Sequence, residues 1–79
     1  MGMADKSFGQ MVRAARLKQG RTQAALASLL DQHGIYLSQP MVSSVERDVL
    51  TPDIWAVTAL CLILRIRPQE ALKALGWHD

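Results

Sequence analysis

Two glutamines in this chain stand directly behind hydroxyl residues, Gln23 after Thr22 and Gln39 after Ser38. A Ser or Thr in that setting caps a helix start by accepting a hydrogen bond from an unpaired backbone N–H. The free N–H groups and the helix dipole at such a start attract an anion. A glutamine at the front of a helix lying in the DNA major groove can pair with N6 and N7 of adenine. The segment from Thr22 to Arg47 therefore suits two tasks. One helix start can grip a phosphate while the next offers side chains to base edges. Gly34 falls in the turn between them.

Other chemistries have little support. His33 falls in that turn and His78 stands beside the C-terminal residue, so neither is set against a Ser or Cys as a base for nucleophilic catalysis. One cysteine and two distant histidines give no metal-ligand spacing. A chain of 79 residues rarely builds an enclosing substrate pocket. Neither an enzyme nor a cofactor is expected.

Bulk properties agree with a small globular binder. The length suits one domain, marginal in stability and helped by a partner copy. With 49% hydrophobic and 20% charged residues the chain is no disordered polyelectrolyte. The net charge is only +2, but Lys6, Arg13, Arg16, Lys18 and Arg21 crowd the first thirty residues against the single acid Asp5. Such clustering marks an anion-binding face. Cys61 cannot form an internal disulfide and reads as a small core residue in a reducing compartment. No apolar signal sequence opens the chain, and the longest apolar stretch, Trp55 to Leu64, is too short to span a bilayer. A cytoplasmic location with no membrane contact is expected.

Helical spacing of apolar residues dominates, so the fold class expected is all-α. Helices are predicted over about 7–19, 22–33, 38–47, 53–64 and 68–75 in a single domain, 1–79. Ser7 and Gln10 form a capping box. Gly20, Gly34 and Gly76 are stops. Pro40 and Pro68 suit first turns, and Thr51-Pro52-Asp53 reads as a cap, a first-turn proline and an acid near the dipole. Ile54, Val57, Leu60, Cys61 and Leu64 are expected inward on the fourth helix, and Leu72 and Leu75 on the fifth.

Four stretches in order resemble the Xre/Cro/C1 family of helix-turn-helix DNA-binding proteins, typified by lambdoid phage repressors. They are Met11 to Gly20, Thr22-Gln23-Ala24-Ala25-Leu26-Ala27, Leu37-Ser38-Gln39 through Val42-Ser43-Ser44-Val45-Glu46-Arg47, and Pro52-Asp53-Ile54 with the apolar run behind it. Together they cover nearly the whole chain. The resemblance implies a five-helix lambda-repressor-like domain that regulates transcription, as a Cro-like protein or the N-terminal domain of an immunity repressor. Two departures stand out. The segment Leu30 to Tyr36 makes the connection between helices two and three longer than the family's tight turn. Asp48 replaces the usual glycine after Glu-Arg, and as an acid it should point away from DNA or cap something.

The resemblance also assigns roles. Gln39 would read a base, with Ser43 and Ser44 one turn on, although either serine also fits a plain surface position. Pro40 and Met41 could touch a thymine methyl, and Met41 equally fits a partly buried position. Gln23, Thr22, Ser38 and Arg47 would hold phosphate, with Arg13, Lys18 and Arg21 adding charge at the rim. Arg16 and Glu46 would form a structural ion pair behind the recognition helix. Trp77 and Trp55 are candidates for a homodimer interface, Trp55 equally for the core. The partner implied is a palindromic duplex operator, read by two copies with half-sites about 34 Å apart. The rival reading is a protein-interaction module of the same fold, such as an antitoxin, with DNA contact secondary.

Overall fold

The computed structural model describes residues 6–77; Asp5 and His78 lie outside them. Among the described residues there are five helices and no strand, as the apolar spacing predicts. α1 spans Phe8–Lys18, α2 Gln23–Gln32, α3 Gln39–Glu46, α4 Ile54–Leu64 and α5 Pro68–Ala74.

The first four helices open in the same way. A side chain before the helix accepts from a backbone N–H of the first turn: Ser7 from Gln10, Thr22 from Ala25, Ser38 from Met41, Asp53 from Ala56. At Ser7 the box is closed, because Gln10 Oε1 accepts from the Ser7 N–H at 2.8 Å. The start of α4 departs from expectation. Its cap is Asp53, at 2.9 Å from the Ala56 nitrogen, not Thr51, and Pro52 lies just outside the helix and is buried. A carboxylate at the positive end of the dipole is the stronger cap.

All five helices also stop in the same way. One residue turns left-handed, and the next amide donates back to a carbonyl of the last turn. The pairs are Arg21 to Arg16, Ile35 to Leu30, Val49 to Ser44, Ile66 to Cys61 and Trp77 to Leu72. Gly20, Gly34 and Gly76 supply three of the left-handed residues; Asp48 and Arg65, each at φ 60°, supply the others.

The helices close around one apolar cluster. Val12 of α1, Leu26 and Leu30 of α2, Val42 and Val45 of α3, and Leu60 of α4 are its most deeply buried large side chains. Two inward expectations are corrected. Ile54 is exposed, at the open first turn of α4. Leu72 is only half-buried, Leu75, at the C-cap of α5, packs half-buried against the core, and Ala71 is the fully buried residue of that helix. A small residue there lets α5 come close to both α1 and α4.

α3 is pressed against α1 as well as α2. The backbones of α1 and α3 come close at Gly9. A Cβ there would stand 2.6 Å from the Glu46 carbonyl oxygen and collide with that of Val45. Only glycine lets the two backbones meet at that distance.

Candidate functional site

Residues four apart align along a helix. Val42 and Val45 are buried, so they fix the inner side of α3. Gln39, Ser43 and Arg47 then run along its outer side, with Pro40 and Ser44 beside them. Gln39, Pro40 and Arg47 are exposed, and Ser43 and Ser44 are half-buried. Met41 faces the other way. It packs against the core and lines a groove with Tyr36, Leu50 and Trp55, so it takes the partly buried position. Arg47 folds back over its own helix, its Nε and Nη2 each 3.4 Å from the hydroxyls of Ser43 and Ser44 respectively. These are long bonds that the side chain gives up readily.

The front ends of α2 and α3 meet. Gln39 Nε2 donates to Gln23 Oε1 at 2.7 Å. Gln23 Nε2 in turn donates to Glu46 Oε1 at 3.1 Å. Glu46 receives Arg16 twice, from Nε at 2.6 Å and from Nη2 at 3.0 Å, and Arg16 Nη1 donates to the Arg21 carbonyl at 2.8 Å. A continuous polar chain thus links a buried ion pair to an exposed glutamine. Arg16 is 7% exposed and Glu46 6%.

Burial alone would raise the Glu46 pKa, but the hydrogen bonds from Arg16 and Gln23 and the charges of Arg16 and Arg13 outweigh it, and the pKa is lowered. The bond to Glu46 likewise raises the Arg16 pKa against the opposing effect of burial. Both groups stay charged, and the bidentate fork fixes their relative orientation. The pair expected from the resemblance is therefore present, with Gln23 as a third member that the sequence did not suggest.

Asp48 is the other residue that sequence reasoning only half resolved. It does cap something. Its Oδ1 accepts from the Gly9 N–H at 2.9 Å and its Oδ2 from the Ser7 hydroxyl at 2.6 Å. The carboxylate thereby sits at the N-terminus of α1, where the dipole favours it. The sole hint in the sequence was an acid where the resemblance called for glycine.

The remaining candidates spread over the surface. Thr22 is exposed, and Ser38, the cap of α3, is half-buried. Arg13 is exposed and near enough to Glu46 to act on it by charge. Arg21 is half-buried and donates to Gln19 Oε1 at 2.7 Å. Lys18 does not join the Gln23–Gln39 cluster; it lines a separate groove with Lys6, Arg67 and Lys73. Trp55 and Trp77 are exposed, at 71% and 40%. Among the described residues no group of three His, Cys, Asp or Glu could hold a metal ion, and no helix is long and apolar enough to cross a membrane.

Compared with protein-family models, curated proteins and solved structures, the chain matches none.

Proposed function

We propose that this chain is a sequence-specific duplex-DNA-binding regulator of transcription, with a helix-turn-helix of the Xre/Cro/C1 type formed by α2 and α3. On this reading it is a repressor of the phage or prophage kind, without catalysis or cofactor. The observation that carries the proposal is the 2.7 Å bond between Gln39 and Gln23. It puts the fronts of two helices on one surface, one suited to phosphate and the other to the major groove.

α3 enters the groove with Gln39, Pro40, Ser43 and Ser44 toward the base edges. Gln23 and the capped amides behind Thr22 grip phosphate on the flanking strand. Arg47 leaves its weak bonds to the serines for a phosphate oxygen, and Arg13 and Arg21 add to the field. The Gln23 amide already holds Gln39 Nε2 through its oxygen, so it orients the reader before DNA arrives and lowers the ordering cost of binding. A second copy, docked through Trp55 and Trp77, completes a two-fold reader.

The experiment is selection from a random duplex library, followed by binding measurements across a salt series. The expected result is an enriched motif of two half-sites and a steep fall of log K with log salt. Gln39→Ala should then lose about 1–3 kcal/mol of discrimination at one base pair of each half-site. No enriched motif, or a motif that Gln39→Ala reads unchanged, overturns the reading.

A further inference from the structure

The positive charge of this molecule is divided between two places. Arg13, Arg16, Arg21 and Arg47 belong to the α1–α3 side, where Arg16 is already neutralised by Glu46. The other five of the nine lysines and arginines, Lys6, Lys18, Arg65, Arg67 and Lys73, border one open groove between α1 and the α4–α5 corner. Glu70 is the sole acid on its wall, 3.7 Å from Arg67 in an exposed pair that neutralises little. The floor is apolar: Met11, Ala14 and Ala15 from one side, Ile66 and Ala74 from the other. The groove measures about 1170 Å³, above the usual range of about 300–1,000 Å³ for small-molecule clefts.

The geometry points to a docking groove for an acidic amphipathic segment of a partner protein. An apolar stripe on such a segment would lie along the alanines and Ile66, with flanking carboxylates reaching the cationic rim. A phosphate backbone would use the rim but has nothing to place on the floor. A second copy of this chain does not fit, because no helix among the described residues carries more than one acid. Nor does the groove serve the DNA reading argued above, apart from Lys18 at its edge. The inference therefore stands or falls independently of that reading.

The test uses the full chain and a fluorescein-labelled acidic peptide of about four helical turns. Leu repeats at i, i+3, i+4 and i+7, and Glu flanks that stripe. A scrambled peptide of the same composition and a random duplex are the controls. Fluorescence anisotropy should show saturable binding of the peptide and much weaker binding of its scramble. Arg67→Glu/Lys73→Glu, which changes two exposed side chains, should weaken the peptide by about tenfold while the thermal midpoint holds. The duplex should weaken far less. Absence of saturable peptide binding overturns the proposal. So does equal binding of the scramble, which would mean charge attraction only. An equal loss for peptide and duplex would make the groove part of a phosphate face and overturn it too.

Discussion

Removing the Glu46 carboxylate leaves the Arg16 guanidinium buried without its partner and releases Gln23 from one of its two side-chain bonds. Loss of one member of a buried pair costs about 3 kcal/mol. Glu46→Ala is therefore expected to lower the urea midpoint sharply, and an unchanged midpoint would show that the pair contributes nothing to stability. The acid dependence has a definite sign. The folded-state pKa of Glu46 lies below its unfolded value. Its contribution is thus complete above that value and lost as pH falls through the folded one. Urea melts at successively lower pH should show wild type losing a share of stability that Glu46→Gln lacks throughout. At Gly9 the cost is steric. Gly9→Ala must push α1 away from the α3 carbonyls and should cost about 3 kcal/mol by the same assay.

At the scale of elements, the two left-handed stops that are not glycine make a controlled pair. Arg65 is exposed, and among the described residues its side chain has no hydrogen bond that would oppose replacement. Arg65→Gly should relieve about 1 kcal/mol of backbone strain and raise the midpoint by about 5 °C, followed by circular dichroism. Asp48→Gly gains the same relief but gives up both bonds to the start of α1, so it should melt at or below wild type. The contrast shows why parts of this fold can be read from sequence and others cannot. Hydroxyl caps and glycine stops act within a few residues, so Ser7, Thr22, Ser38, Gly20, Gly34 and Gly76 announce their helices. Aspartate is only somewhat favoured in left-handed backbone and arginine not at all, so neither Asp48 nor Arg65 marks a stop as a glycine does. Thr51-Pro52 has the local signature of a cap and first-turn proline, yet Asp53 takes the cap of α4 and Pro52 is buried just outside the helix, which the local signature does not foretell. Arg16 and Glu46 lie thirty residues apart and were paired by resemblance, not by spacing. The Gln23–Gln39 bond depends on the angle between two helices, which periodicity does not carry.

Over the whole molecule, α4 is the element whose surroundings fit its composition least. Ile54 to Leu64 contains no charged residue, yet Ile54, Trp55, Thr58 and Leu62 share an outward arc, with Leu62 at 74% exposure. A helix apolar on every side is ordinarily enclosed. The proposed second copy supplies that cover and adds Trp77 at the rim. Sedimentation at rising concentration should show pairing, and Trp55→Glu should hold the chain as a monomer and weaken duplex binding without loss of helix. Monomers at every concentration, with and without duplex, would remove α4 as an interface. The Asp48 carboxylate has a further consequence on this scale. Together with the Arg16–Glu46 fork it clamps the far end of α3 to α1 at two points. If α3 reads DNA as proposed, a helix held so firmly acts as a rigid template that does not tilt to suit each site. Accommodation then falls to the double helix, and operators rich in pliable pyrimidine–purine steps between the half-sites would be favoured over stiff A-tracts that no side chain touches.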